Sequence, residues 1–361
     1  MTRDPEALLP SAEPVMLIDP SGVPTGLAEV PDDDTMLAAY GALVAARRLN
    51  DQAYALVRQG RLAVYPSSHG QEACQVAAAQ VLGADDWLFP TYRDTVAAVT
   101  RGVDPVEVLV LLKGDWHSGY DPYRTKVGPQ ATPLATQLLH AVGVGYAAKL
   151  RGEPTVVMAL CGDGATSEGD FHEALNFAAV FGVPVVFFVQ NNEYAISVPL
   201  ARQSVAPSLA HKGVGYGVPG ERVDGNDVAA LLAVLGGAVA KARAGEGPQL
   251  VEAHTYRMQA HTNADDATRY RQDDEVAAWV ERDPLMRAEA YLRGRGVLGD
   301  DQVTAYAAEA DRVAAHVREG LNRDVEPNPD DLFDFVYARR TPQLEEQAAL
   351  VADELSREDA S

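Results

Sequence analysis

A chain of 361 residues with 30 Lys and Arg against 52 Asp and Glu carries a formal net charge of −22. That balance argues against nucleic acid or an anionic membrane as a main partner, and the length suffices for one large domain or two small ones with a substantial core. Cys74 and Cys161, the two cysteines, lie in apolar surroundings and read as reduced core residues, without a disulfide framework. The N-terminus, MTRDPEALLPSAEP, lacks the apolar centre of a signal peptide. No apolar run is long enough to span a bilayer, so a cytoplasmic location is expected.

In chain order, residues 1 to about 34 form an extended arm. Its prolines (Pro5, Pro10, Pro14, Pro20, Pro24 and Pro31) suit a segment that drapes over something else. PDDD at 31–34 places acidic groups at a helix N-terminus. Residues 35–60 and 70–82 read as helices stopped by Gly60 and Gly83. Thr132 and Pro133 read as the N-cap and first turn of a helix, whose Ala- and Gly-rich stretch AVGVGYAAK (141–149) lets a neighbour pack closely. A strand at 155–160, a helix at about 169–181, a strand at 184–190, a helix at about 227–244 and a strand at 249–257 follow. This alternation predicts an α/β fold: a doubly wound, mostly parallel sheet with helices on both faces. From about 275 the chain turns helical and charged, through EPNPDDLFDFVY (326–337) to a last helix and tail at 341–361. The body of the fold is expected to run from 35 to 340.

Two stretches stand at strand ends, where ligands bind in such sheets: CGDGATSEGD (161–170) and QNNEYAIS (190–197). The first lacks the third glycine of a dinucleotide fingerprint, Ser167 standing in its place. It also lacks the lysine of a nucleotide P-loop, replaced by Asp170. What remains is a hard oxygen ligand, Asp163, on a glycine turn whose N–H groups can approach a diphosphate. Asn192 follows 29 residues later, one helix and one strand on, so the two side chains can meet. Two such oxygens and a loop carbonyl suit Mg²⁺, which fills its remaining positions with phosphate and water.

GDG followed by NN at this distance resembles the motif of thiamine diphosphate enzymes. From about 65 to 340 the chain resembles the alpha subunit of the decarboxylating component of 2-oxo acid dehydrogenase complexes, nearest the branched-chain type. FPTYRD (89–94), TPLATQ (132–137), YAAK (146–149), SEGDFHEALNFAA (167–179), NNEYAIS (191–197), RVDGNDV (222–228), TYRMQAHTNADD (255–266) and EPNPDDLF (326–333) carry the likeness. The resemblance implies the cofactors thiamine diphosphate and Mg²⁺, with Asp163, Asn192 and the Tyr194 carbonyl on the metal. It implies that Gly162, Gly164, Ala165, Tyr92 and Arg93 face the diphosphate and that Thr132 and Leu134 contact the aminopyrimidine through their backbone. His261 is implied as the active-site histidine, with Arg257 its neighbour. Ala131, Pro133, Thr136 and Gln137 resemble a loop that can hold K⁺. Gln190 stands where the mammalian branched-chain enzyme has an arginine, and Thr262 where it has a serine that a kinase modifies.

The same resemblance implies a beta subunit that completes the site, in an assembly of two alpha and two beta chains, and a lipoyl-bearing acyltransferase. The expected reaction is oxidative decarboxylation of a branched 2-oxo acid. Pyruvate or acetoin dehydrogenase and an inactive scaffold are the alternatives. His69 can line the site; His140 and His172 read as structural. Arg93 could instead pair with Asp94. Asp224 and Asp227 read as a turn and a helix cap, and the DDATRYR run (265–271) as a solvated loop.

Overall fold

Strand and helix alternate along the chain as the apolar runs dictate. The computed structural model describes residues 4–114, 119–323 and 328–358. The start of the arm, the first two residues of the 326–337 stretch and the end of the tail lie outside the described residues. Its strands are β1 (Trp87–Phe89), β2 (Val157–Gly162), β3 (Val185–Asn191), β4 (Tyr194–Ala195), β5 (Val198–Pro199), β6 (Gly220–Asp224) and β7 (Gln249–His254). β4 and β5 make a small antiparallel hairpin. The other five form one parallel sheet in the order β1-β2-β3-β7-β6.

β3 is buried along its whole length, which accounts for its unbroken apolar run: both faces are covered. Side chains then part by period two. Met158, Leu160, Val186 and Phe188 pack towards the helices Asp33–Arg58, Glu72–Gln80 and Val228–Arg243. Val157, Ala159, Cys161, Val185 and Phe187 pack towards Thr136–Arg151 and Gly169–Phe181. Each fully buried Leu or Phe contributes about 1.5–3 kcal/mol of transfer free energy. Close approach is needed at Gly145, where a Cβ would stand 2.7 Å from Val183. Both cysteines are free and buried.

The helix expected to open at Thr132 begins instead at Thr136, capped by Ala135 in the left-handed region (φ +64°). Ala131 is bridged to Thr91, and the Tyr92 N–H donates to its carbonyl at 3.1 Å. That tie holds 131–135 as a turn before the helix can start. Short β1 and half-buried β6 lacked a long apolar run and were not expected. The last strand stops at His254 rather than 257.

The arm drapes over the β6 edge. Val15 bridges Val223, and Leu17 and Ile18 are buried. Their N–H groups donate to Asp227 Oδ2 at 2.7 and 2.8 Å, while Asp227 Oδ1 caps the Val228–Arg243 helix at the N–H groups of Ala229 and Ala230. Arg287, also buried, donates to the Ile18 carbonyl and to Asp224 and lies 3.7 Å from Asp227. Asp227→Ala strips four buried backbone N–H groups of their acceptor and takes one nearby carboxylate from the buried Arg287, so it should cost about 3 kcal/mol or more. Calorimetric unfolding should show a clear fall in Tm; an unchanged Tm would mean that the arm is held by its apolar contacts alone.

Candidate active site

Parallel register builds the site. Gly162 pairs with Gln190 and Asn191 with His254, so the chain leaves β2, β3 and β7 at one edge. Asp163, Asn192 and Arg257 follow those ends by one to three residues and converge on a single cleft. Its walls include Tyr92, Arg93, Ala131, Pro133, Leu134, Gly162, Asp163, Gly164, Ala165, Asn192, Tyr194, Arg257 and His261. Of the expected site residues, Thr132 is not on the wall. Thr136 is not either; its hydroxyl donates to Asp170 at 3.3 Å. His69 lies outside the wall, bonded to Gln259.

Asp163 is buried, and its carboxylate accepts from the Gln203 amide at 2.9 Å. Burial lifts its pKa above the ordinary carboxyl range, opposed by the Gln203 hydrogen bond and more weakly by the charge of Arg257. Among the described residues no side-chain cation pairs with it. Asn192 Oδ1 accepts from the Tyr194 N–H at 3.3 Å, and the Tyr194 carbonyl accepts from Arg257 at 3.3 Å. A buried, unneutralised carboxylate beside an amide oxygen and a carbonyl is a donor set that fits a hard divalent cation. Gly164 lets this loop close: a Cβ there would stand 2.7 Å from Ala195 Cβ. Glu193, between Asn192 and Tyr194, sits at φ +73°, held by a 2.5 Å contact to His254.

Cationic groups stand next to these donor oxygens in the same cleft. Arg93 and Arg257 both reach His261 Nδ1, at 3.0 and 3.5 Å. Arg93 also donates to the Ser67 and His261 carbonyls, Arg257 to Ile196 O and Tyr270 OH. Arg93 therefore does not bond Asp94, which accepts from Gln190 and Thr91 instead. Two guanidinium groups beside one neutral imidazole, with no carboxylate paired to either among the described residues, are arranged for an anion. Burial, reinforced by the charges of Arg93 and Arg257, pushes the His261 pKa down to about 4. With Nδ1 accepting, the proton of the neutral ring sits on Nε2.

The 265–271 loop is less solvated than expected. Asp265 accepts from the His261 N–H at 2.8 Å and from Tyr270 OH, and Arg271 is buried against the carbonyls of Arg257 and Met258. His172 bonds Tyr216, a structural contact, and His140 is exposed. Sequence reasoning did not find Gln71, Asp94, Glu168 and Gln203. The first three line the cleft, and Gln203 holds Asp163 from 40 residues away. No local pattern marks a lone glutamine whose partner is distant in the chain.

This is the doubly wound fold of thiamine diphosphate-binding proteins, with its cleft at the carboxyl edge of the sheet. The dehydrogenase E1 component family matches residues 40–329, and the chain belongs to that family. It is 46% identical over 363 residues to the 3-methyl-2-oxobutanoate dehydrogenase subunit alpha of Mycobacterium tuberculosis (strain ATCC 25618 / H37Rv), covering 99% of each chain. It is 35% identical over 350 residues to the pyruvate dehydrogenase E1 component subunit alpha of Staphylococcus aureus (strain N315), covering 96% of this chain and 94% of the relative. Among the described residues no helix is long and apolar enough to cross a membrane.

The lowered His261 pKa has a consequence for stability. Between about 4 and the ordinary histidine value of 6.5 the unfolded chain takes up the proton and the folded chain does not. The contribution is complete above 6.5 and is lost as pH falls towards 4. The His261 ring signal should titrate near pH 4 by NMR, and move upward when pyrophosphate and Mg²⁺ are added. Titration near 6.5 without ligand would contradict the buried, cation-flanked placement.

Proposed function

We propose that this chain is the alpha subunit of a branched-chain 2-oxo acid dehydrogenase, binding Mg²⁺ and thiamine diphosphate at the edge of its sheet. The observation that carries the reading is the pairing, within one cleft, of the Asp163–Asn192–Tyr194 oxygens with the Arg93–Arg257 guanidinium pair. The end-to-end likeness to the mycobacterial 3-methyl-2-oxobutanoate dehydrogenase subunit, at 46% against 35% for the staphylococcal pyruvate subunit, supports the branched substrate.

In this reading Asp163, Asn192 Oδ1 and the Tyr194 carbonyl hold Mg²⁺. The Gly162–Ala165 turn, Tyr92, Arg93 and Arg257 hold the diphosphate. Leu134, on the cleft wall, offers its backbone to the aminopyrimidine. The bound cofactor supplies the nucleophilic carbon and the electron sink for loss of CO₂ from a 2-oxo acid. His261 stays neutral beside two arginines and keeps its proton on Nε2, available to a substrate or acyl oxygen. Gln137, buried and donating to the Leu160 carbonyl, leaves its Oε1 without a partner. That free oxygen fits K⁺ held by Ala131, Pro133, Thr136 and Gln137.

A beta subunit would close the cleft and complete the acid–base set, in an assembly of two alpha and two beta chains. The acyl group and two electrons would pass to the lipoyl disulfide of an acyltransferase. Co-expressed with its beta partner and supplied with Mg²⁺ and thiamine diphosphate, the chain should reduce an artificial electron acceptor faster with 3-methyl-2-oxobutanoate than with pyruvate or acetoin. A preference for pyruvate would keep the site and change the substrate. Asp163→Ala should abolish Mg²⁺-dependent cofactor binding, measured by calorimetry; unchanged affinity would refute the metal assignment.

A further inference from the structure

Behind the cation-binding loop runs a chain of buried side chains that the resemblance does not account for. Asn192 Nδ2 donates to Gln71 Oε1 at 3.2 Å, Gln71 Nε2 to Gln190 Oε1 at 3.5 Å, and Gln190 Nε2 to Asp94 Oδ1 at 2.7 Å. Asp94 Oδ2 accepts from the backbone N–H and the hydroxyl of Thr91, both at 2.7 Å. Asn192 is 6%, Gln71 1%, Gln190 3% and Asp94 1% exposed, so water does not compete for these bonds. All four face the cleft.

The series has a direction. A carboxylate only accepts, so Gln190 must turn its NH₂ to Asp94 and its oxygen to Gln71. Gln71 must then turn its oxygen to Asn192, and Asn192 its NH₂ to Gln71. The Asn192 oxygen is left on the side of Tyr194. An asparagine amide rotates between two nearly equivalent orientations, and the reversed one would aim NH₂ at a cation. We propose that Gln71, Gln190 and Asp94 are positioning residues that keep the Asn192 oxygen turned to the divalent cation. The inference rests on the metal site proposed above. It also gives Gln190 a role that an arginine could not fill, since arginine has no acceptor to pass the direction on.

The test is Mn²⁺ binding to the chain assembled with its beta partner and saturated with thiamine diphosphate, followed by the electron paramagnetic resonance of free Mn²⁺. Gln71→Met and Gln190→Met should each weaken Mn²⁺ about tenfold, the lower end for residues that orient a metal ligand. Gln71→Glu, which still accepts from Asn192, should bind at least as tightly as the unmodified chain. In an Asn192→Asp background both ligand oxygens are alike, so adding Gln71→Met or Gln190→Met should change Mn²⁺ affinity less than about twofold. Should one methionine variant fail to assemble, the other reads the same relay. Unchanged affinity in the single variants, or equal losses in both backgrounds, would overturn the positioning role. Absence of Mn²⁺ binding in the unmodified assembly, or its survival in Asp163→Ala, would instead overturn the metal site itself.

Discussion

Everything at the cleft depends on the register of three parallel strands. With Gly162 opposite Gln190 and Asn191 opposite His254, β3 leaves the sheet one residue beyond β2 and level with β7. A slip of one residue would invert every side chain of the slipped strand. It would carry Met158 and Leu160 to the face that now holds Val157 and Ala159. The buried alternation on both faces thus fixes the position of Asp163 relative to Asn192 more firmly than any contact between them, which is why a site can be assembled there from loop residues.

The site sets opposite demands against each other within a few residues. A buried carboxylate, Asp163, has no side-chain cation paired with it among the described residues, while nearby two guanidinium groups press against a neutral histidine. Neither arrangement stabilises the empty fold, since isolated buried charge costs free energy. In a protein of net charge −22, long-range attraction would not draw in a polyanion. The attraction available to an anion at the cleft is therefore local, from the Arg93 and Arg257 guanidinium groups held by the carbonyls of Ser67, Tyr194 and Ile196. Backbone strain adds to this: Ala135 and Glu193, both non-glycine residues at positive φ, lie on the cleft wall and in the loop between Asn192 and Tyr194, and strained backbone commonly gathers at functional sites.

Much of this was legible before any coordinates. The helix at 169–181 and the strands around 157–162 and 185–191 were readable because they are long, apolar and bounded by glycine. Asp163 and Asn192 were readable because one αβ step separates them. The start of the helix at Thr136 was not: Thr132-Pro133 carries a sound local signal, overruled by the bridge from Thr91 to Ala131. Nor were Gln71, Asp94 and Gln203, since each acts through a partner tens of residues away. Arg93 and Asp94 look like an ion pair when read side by side, yet they face different neighbours. The solvated reading of 265–271 holds for Asp266, Thr268 and Arg269, which are exposed, but not for Asp265 and Arg271, which are bonded back to 257–261.

Both margins of the sheet are already paired. On one side Val15 of the arm lies against β6; on the other, Val127 and Ala131 bridge to Leu88 and Thr91. Among the described residues these bridges interrupt both margins, so the sheet offers no long open row of backbone donors and acceptors to another chain and is less open to strand addition. A companion subunit is thereby directed to helix faces, loops and the mouth of the cleft. Joining then depends on side-chain shape, which differs from one subunit to the next, and not on the backbone, which does not. An open margin would accept almost any extended peptide. Closed margins leave the choice of companion to the parts of the surface that sequence can vary.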